Sequence, residues 1–218
     1  NLLKYLNIKI FFFNVNNVDI PLPYYSSFIF KTYELNDRII LERNLKAQHK
    51  CIIIGGGIGF IPAIVNNITK NKVLIFEINN KIIKNLKSNL TKNKIKFKIL
   101  NYNLLLNKTD IQEYYYSNEN FLATSMFRKS QKKIKLKNIL FNKVKNINDF
   151  NTLIIDGEGI EKHYIENIKI LKKVKFIFFE FHNDIFTNVQ KSEIFKKLKQ
   201  EGFFLKDKFI NSYYFIKN

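Results

Sequence analysis

The sequence predicts an α/β protein with a Rossmann-like, doubly wound and mostly parallel sheet. Short apolar runs without polar alternation, such as Cys51 to Ile54, are typical of strands that are buried on both faces. Segments with apolar residues at helical spacing separate these runs, as in residues 79–92. A glycine-rich loop directly follows the first run. Strands that alternate with helices in this way form parallel βαβ units.

The individual elements follow from the same two patterns, taken in chain order. Apolar residues recur at helical spacing in the predicted helices, and Gly202 stands where the last of them should end. The predicted helices are 35–48, 60–69, 79–92, 158–171 and 188–200. The predicted strands are 51–54, 73–76, 96–100, 113–116, 135–140, 152–155, 174–181, 203–205 and 213–216.

The length of 218 residues fits one domain of this kind. We predict an N-terminal segment, residues 1–34, that packs on the core, and a Rossmann-like domain over residues 35–218. Within that domain, residues 110–142 combine short strands with a polar loop, so we expect a small antiparallel insertion there.

The formal net charge of +19 does not by itself indicate a nucleic-acid partner. The lysines are scattered through every segment, whereas a nucleic-acid footprint is clustered. The abundant Lys, Asn, Ile, Phe and Tyr residues share A/T-rich codons, so the bias can come from the genome. One cysteine, Cys51, excludes an internal disulfide framework and favours a reducing, cytoplasmic location. No apolar run is long enough to predict a transmembrane segment.

The glycine loop after the first buried strand has the spacing G-x-G-x-G. Gly55, Gly57 and Gly59 would let a ligand approach the backbone closely at the N-terminus of the following helix. In the dinucleotide form of the motif the last glycine would fall at position 60, which is Phe60. Because a bulky residue there disfavours pyrophosphate, we expect a nucleoside cofactor without one.

An acidic residue has the spacing expected of a ribose ligand. Glu77 lies 20 residues after Gly57 (77 − 57) and directly follows the second strand, where an acid can accept hydrogen bonds from both ribose hydroxyls. Asn101 follows the third strand and is a further candidate at the same sheet edge. The predicted cofactor-binding residues are therefore Gly55, Gly57, Gly59, Glu77, Asn101 and, from the next cluster, Asp156.

Three carboxylates follow the strand 152–155, at the edge where open α/β sheets bind ligands. They are Asp156, Glu158 and Glu161, and the first turn of a helix explains Glu161. His182 directly follows the apolar strand 174–181 at the same edge, and a histidine changes charge near neutral pH. We predict His182, Asp156 and Glu158 as catalytic residues, with His182 as the general base, and no metal ligands.

These motifs resemble the FkbM family of methyltransferases. The matching pieces lie in the family's order over roughly residues 35–185 and are Ile54-Gly-Gly-Gly-Ile-Gly-Phe60, Phe76-Glu77, Thr124-Ser125, Leu153-Ile-Ile-Asp-Gly-Glu-Gly-Ile-Glu161 and Phe179-Glu-Phe-His182. The resemblance implies a class I methyltransferase fold with S-adenosyl-L-methionine as cofactor. It also implies O-methylation of a small-molecule or glycan acceptor, often a sugar hydroxyl in a glycan, lipopolysaccharide or secondary metabolite.

One residue departs from the family pattern. Ile53 stands two positions before the first glycine, where the family has an acid near the amino-acid end of the cofactor. Either another acid supplies the partner of the cofactor's ammonium group, or binding is weakened. Two other functions stay open: a nicotinamide-dependent oxidoreductase, and a non-catalytic nucleoside-binding or nucleic-acid-binding module. The sequence leaves the acceptor, the methylated position and the oligomeric state undetermined.

Overall fold

The structure is a computed structural model, and its central sheet confirms the predicted α/β, Rossmann-like class. The residues that it describes are 8–10, 12–15, 27, 30–107, 115–116, 124–125, 132–133, 137–157, 159–182 and 185–217.

The strands of the described residues are β1 (Ile8–Ile10), β2 (Phe13–Val15), β3 (Cys51–Ile54), β4 (Val73–Phe76), β5 (Phe97–Leu100), β6 (Asn103–Leu105), β7 (Tyr115–Tyr116), β8 (Thr124–Ser125), β9 (Lys132–Lys133), β10 (Asn138–Leu140), β11 (Thr152–Ile155), β12 (Phe176–Glu180), β13 (Phe203–Phe209) and β14 (Ser212–Lys217). The α-helices are α1 (Leu35–Asn44), α2 (Phe60–Thr69), α3 (Asn80–Lys92), α4 (Glu161–Glu166) and α5 (Asn188–Gln200). Short 3-10 helices are Phe141–Lys143, Ile147–Asp149 and Ile168–Ile170.

The central sheet has seven strands in the order β13-β14-β12-β11-β3-β4-β5. The five strands from β12 to β5 are parallel, while β14 is antiparallel to both of its neighbours. From β3 the chain moves outward to β4 and β5 and then returns to β11 on the other side of β3. The strand order therefore reverses between β3 and β11, and ligands bind at such a switch point beyond the carboxyl ends of the strands.

Helices cover both faces of this sheet, because β3, β4 and β11 bury every residue and need apolar partners on each side. On one face α1, α2 and α3 pack against side chains that include Ile53 and Ile75. On the other face α4 and α5 pack against side chains that include Ile52 and Phe179. The result is a three-layer core in which helices pack on both faces of the sheet.

The described residues near the N-terminus contact the helical face formed by α2 and α3. Phe13 is fully buried, and its ring centroid lies 5.9 Å from that of Phe60. The main chain of Asn14 donates to and accepts from the side chain of Asn93, at 2.8 and 2.9 Å. The division of the chain at residue 34 stays a prediction.

Residues 110–142 contain the expected antiparallel pairing and one departure from it. Strand β7 pairs antiparallel with β8 and with β9. Strand β10, however, pairs parallel with β6, so the end of this segment belongs to a separate two-stranded parallel sheet. The short strand β6 escaped prediction because it follows β5 after only two residues.

The predicted helix over 158–171 is shorter in the structure. Helix α4 begins only at Glu161, because the Glu161 side chain accepts hydrogen bonds from the preceding turn. It ends at Glu166, where the side chain of Asn167 donates to the carbonyl oxygen of His163 at 3.0 Å. No helix in the described part of the chain is long and apolar enough to cross a membrane.

Candidate functional site

Two glycine-containing turns meet at the switch point of the sheet. We call residues 55–59, after β3, the β3 turn, and residues 156–159, after β11, the β11 turn. Gly55 has a φ of +90°, and a Cβ added there would overlap the carbonyl oxygen of Asp156. Only glycine therefore allows the two turns to approach so closely.

A buried glutamate holds the β3 turn. Glu77 Oε2 accepts hydrogen bonds from the main-chain N–H groups of Gly56 (2.8 Å) and Gly57 (3.2 Å), and Oε1 accepts one from Asn79 (2.8 Å). Burial raises the pKa of the Glu77 carboxyl, while these N–H groups act to lower it. Glu77 thus stabilises the loop, a role that the spacing alone did not reveal. Its contact with a ribose stays a prediction.

The loop glycines differ in what surrounds them. Gly56 and Gly59 face apolar side chains of the core, including Leu86 of α3. Gly57 differs, because the atoms nearest to a Cβ placed there are Glu34 Oε1 and the Tyr33 hydroxyl oxygen, both 4.0 Å away. The open side of the β3 turn is therefore at Gly57, and that is where a ligand would contact the loop. Backbone contacts from Gly55 and Gly59 stay predictions.

Phe60 does not point into this open space. It is 1% exposed, and its ring packs edge-on against Phe13 and Tyr33, with centroids 5.9 and 5.8 Å away. Its bulk therefore gives no reason to exclude a pyrophosphate, contrary to the expectation from the motif. The choice between cofactors must depend on the charges around the loop.

Asn101 connects the ends of β4 and β5. Its side-chain Nδ2 donates to the main-chain carbonyl oxygen of Glu77 at 2.7 Å. This contact places Asn101 at the ligand edge beside Glu77. Its contact with a cofactor stays a prediction.

The β11 turn is held in the same way as the β3 turn. Glu161 is fully buried and accepts hydrogen bonds from the N–H groups of Gly157 (3.3 Å) and Gly159 (2.8 Å). Burial raises the pKa of the Glu161 carboxyl to about 8. The turn presents Asp156 at the sheet edge. The predicted catalytic residue Glu158 lies outside the described residues.

Asp156 and His182, both predicted from the sequence, lie together beside a third polar side chain. His182 Nε2 is 3.8 Å from Asp156 Oδ1, and these side chains are 14% and 28% exposed. Glu180 completes the group: the three residues each offer a ligand atom within 4.8 Å of the others. Two carboxylates and an imidazole are a donor set that can hold a divalent metal ion. The sequence predicted no metal ligands, and Glu180 was not among the predicted site residues.

Two further carboxyl groups come from the start of α1. Asp37 Oδ1 accepts a hydrogen bond from Ser212 Oγ at 2.6 Å, which fixes the start of α1 to β14. Burial and the charges of Glu180, Asp156 and Glu34 hold the pKa of Asp37 well above its usual range. Burial, Asp156 and Glu180 also raise the pKa of Glu34 to about 8. We call Glu34, Asp37, Asp156 and Glu180 the acidic edge.

The acidic edge is the feature that sequence reasoning missed. Glu34 and Asp37 precede the motif region, and no spacing connects them to it. Glu180 had one available signal, since it lies two residues before His182 at the end of a buried strand. Four carboxyl groups thus converge on one site in a chain whose net charge is +19.

Comparisons with known proteins identify the fold. No protein-family model matches the sequence, and no curated protein matches it. Among solved structures, 293 chains match. Methyltransferases among them share the Rossmann-like fold of this chain. Four of these are 12–17% identical to it, and a likeness at that identity shows the fold alone.

Three solved structures illustrate the similarity. A methyltransferase from Pyrococcus furiosus has a TM-score of 0.57 and 13% identity, over 100% of this chain and 93% of that chain. A SAM-dependent O-methyltransferase from Thermotoga maritima has a TM-score of 0.50 and 17% identity, over 92% of this chain and 67% of that chain. A protein of the NADB-Rossmann superfamily from Streptococcus agalactiae has a TM-score of 0.51 and 13% identity, over 83% and 65% of the two chains.

Proposed function

We propose that this protein is an S-adenosyl-L-methionine-dependent O-methyltransferase. The nucleoside of the cofactor lies along the β3 turn, with its ribose hydroxyls near Glu77 and Asn101. Its amino-acid end lies beside Gly57, and Asp156 contributes to that end of the site. The acceptor hydroxyl approaches from the side of Asp156 and His182.

The acidic edge is the observation that carries this proposal. S-adenosylmethionine brings a positive sulfonium and a positive ammonium group, and nearby carboxylates stabilise both. A dinucleotide would instead bring a negative pyrophosphate to the helix end after Gly57, close to Glu34. A cation would favour ionisation of these carboxyl groups and pair with them, whereas a phosphate would raise the pKa of each further and offer no partner. The same groups therefore favour S-adenosylmethionine over NAD and nucleic-acid phosphates.

The residues near the acceptor suit proton removal. Bound S-adenosylmethionine supplies an activated methyl group. This methyl group would be transferred to the acceptor oxygen, and S-adenosylhomocysteine would be the other product. His182 takes the hydroxyl proton as general base, and Asp156, 3.8 Å from its Nε2, stabilises the resulting imidazolium. Glu158 is proposed to help hold the acceptor.

The acceptor class and the family assignment rest on the resemblance to the FkbM methyltransferases. We propose a sugar hydroxyl of a glycan, lipopolysaccharide or secondary metabolite, modified in the cytoplasm. Residues 1–34 are proposed to pack on the Rossmann-like domain, residues 35–218. Among the described residues, Phe13 and Tyr33 support this packing through their contacts with Phe60.

The competing oxidoreductase function has little support at the site. Tyr213 and Lys217 have the Tyr-x-x-x-Lys spacing of one oxidoreductase class, but both lie on strand β14. Residues four apart on a strand are separated by about 13 Å, so they cannot act on one substrate atom. The similarity to an NADB-Rossmann protein concerns the fold.

Titration calorimetry tests the proposed function directly. The full chain is titrated separately with S-adenosylmethionine, NAD and a short generic oligonucleotide. We expect S-adenosylmethionine to bind at least tenfold more tightly than NAD, a difference of about 1.4 kcal/mol. Oligonucleotide binding should disappear at about 0.2 M salt. Tighter binding of NAD, or an oligonucleotide complex that persists at this salt, would refute the proposal.

A further inference from the structure

We propose that Glu34 binds the ammonium group of S-adenosylmethionine, in place of the acid that this chain lacks at position 53. This inference rests on the proposed function and assigns one part of the same site. It names a residue outside the glycine loop, at the start of helix α1, as the determinant of binding for the amino-acid half of the cofactor.

Position 53, where the FkbM family has an acid, is buried and apolar in this chain. Ile53 is 0% exposed and belongs to the apolar cluster between the sheet and helices α1 to α3. Its partner in the neighbouring strand is Ile154, which is also buried in that cluster. A cofactor ammonium group would therefore find no acceptor at this position and must be bound by another residue.

Glu34 is held where such an acceptor is needed. Helix α1 begins directly after Glu34, and two contacts fix its first turn to the region of β14. Asp37 accepts a hydrogen bond from Ser212 at 2.6 Å, and Asn36 Nδ2 donates to Asn211 Oδ1 at 2.8 Å. These contacts come from residues 175 positions away in the chain, so the sheet edge determines where α1 starts.

The Glu34 carboxyl lies on the open side of the β3 turn. Its Oε1 is 4.0 Å from the point where a Cβ on Gly57 would lie, and the Tyr33 hydroxyl is at the same distance. That separation is an ordinary van der Waals contact distance, so the Glu34 carboxyl borders the space that a side chain at Gly57 would enter. Tyr33 also hydrogen-bonds the Glu34 side chain. Loop and carboxyl thus form two sides of one space.

The charges around Glu34 favour a cation in this space. Asp156 and Glu180 act on the carboxyl from the ends of β11 and β12, and both raise its pKa, as does burial. The charge of Glu34 in turn raises the pKa of Asp37 in the first turn of α1. An ammonium group placed here would relieve the repulsion between these carboxyl groups, whereas a neutral or negative group would not.

Two ligands that share the nucleoside separate this role from a general effect on the loop. S-adenosylhomocysteine carries the ammonium group, and 5′-methylthioadenosine lacks the whole amino-acid end. Calorimetry measures the affinity of the full chain and of Glu34→Gln for both. We expect Glu34→Gln to weaken S-adenosylhomocysteine about 10- to 100-fold, as for a lost hydrogen bond to a charged group. The affinity of Glu34→Gln for 5′-methylthioadenosine should stay within about twofold of that of the unchanged chain, because this ligand has no ammonium group for Glu34 to bind.

A matched control lies on the same helix. Glu42 is an exposed residue of α1 that pairs with Arg38 at 4.0 Å, and Glu42→Gln should change neither affinity. If Glu34→Gln fails to fold, Tyr33→Phe serves as a second variant, because it removes the hydroxyl that hydrogen-bonds Glu34. It should weaken S-adenosylhomocysteine in the same direction, by a smaller factor, and leave 5′-methylthioadenosine unchanged.

The outcomes distinguish this inference from the proposed function. Unchanged affinity for S-adenosylhomocysteine in Glu34→Gln, or an equal loss for both ligands, would overturn the role of Glu34 while leaving the methyltransferase proposal intact. If the unchanged chain binds neither nucleoside, the proposed function fails, and this inference fails with it.

Discussion

The β3 turn and the β11 turn are built alike but present different chemistry. Each follows a fully buried strand, and in each a buried glutamate accepts hydrogen bonds from two main-chain N–H groups. Glu77 holds the first turn and Glu161 the second. The β3 turn contains no ionisable side chain, whereas the β11 turn presents Asp156 to the acidic edge.

This difference shows that the main chain of the two turns shapes the site, whereas most of its charged side chains come from other elements. We call the two turns and the strands before them the frame of the site. The two turns meet because Gly55 allows the β3 turn to approach the main chain of Asp156. The charges come largely from elsewhere: Glu34 and Asp37 from α1, and Glu180 from the end of β12. We infer that the β3 turn contacts the nucleoside and that the acidic edge contacts the positive groups and the acceptor.

The largest effect should come from a substitution that forces the β3 turn and the β11 turn apart. Gly55→Ala places a Cβ against the carbonyl oxygen of Asp156 at a φ of +90°, and should destabilise the fold by more than about 4 kcal/mol. Gly202→Ala is the matched control, because its φ is +83° but its nearest neighbour, Lys217 Cε, is 3.6 Å away. That variant should cost about 1–2 kcal/mol. Urea unfolding measures both, and equal losses would show that the two turns do not constrain each other.

The next effect concerns catalysis at the acidic edge. His182→Ala should lower turnover by about 10²–10⁴-fold and leave cofactor affinity nearly intact, as expected for a general base. Asp156→Asn should instead impair binding of the acceptor, the cofactor or both. His163→Ala, on helix α4, is the matched control and should retain turnover.

The turnover assay uses the true acceptor, with and without a chelator of divalent metals. Loss of turnover of the unchanged chain in the chelator would indicate that a metal held by Asp156, Glu180 and His182 lowers the pKa of the acceptor hydroxyl, so that His182 is a ligand and not the base. Near-normal turnover of His182→Ala would remove His182 from the mechanism.

A smaller effect separates the two glutamates that hold the turns. Glu77→Ala should weaken binding of 5′-methylthioadenosine by about 1–3 kcal/mol, because the β3 turn and the ribose both lose an acceptor. Glu161→Ala removes the carboxyl group that accepts hydrogen bonds from two N–H groups of the β11 turn. It should leave the affinity for 5′-methylthioadenosine unchanged. Calorimetry measures both variants. Equal weakening would show that the nucleoside contacts both turns, and the division between them would be wrong.

The last effect is on the pH dependence of stability. The pKa of Glu161 is raised by burial to about 8 in the folded chain, above its ordinary value of 4.5. A carboxyl of this kind contributes stability below pH 4.5, and this contribution is lost as the pH rises through 8. Glu161→Gln should therefore reduce the fall in unfolding free energy between pH 4.5 and 8. An unchanged pH profile would contradict the assignment.

Much of the frame could be predicted from the sequence. Apolar runs such as Cys51 to Ile54 lack alternation, and this pattern reports burial on both faces directly. The glycine loop and Asp156 follow such runs, so their place at the sheet edge depends only on the parallel order of the strands. The confirmed fold class, with its antiparallel insertion at β7 to β9, follows from such local patterns.

The acidic edge could not be predicted in this way. Its members converge because α1 packs against β14, through a hydrogen bond between Asp37 and Ser212 that spans 175 positions. The directions of the Phe60 and Glu77 side chains could not be predicted from the sequence either, because both depend on the residues that pack around the loop. Local spacing places a residue at an edge, but tertiary packing decides what its side chain contacts.

A crystal structure of the chain with S-adenosylhomocysteine tests the central claim most directly. We predict that the adenosine lies along the β3 turn and that the ammonium nitrogen lies within about 3.2 Å of the Glu34 carboxylate, facing the acidic edge. An adenosine bound against Asp156 and Glu180, or an amino-acid end that points away from Glu34 and Gly57, would contradict the division of roles between the two turns.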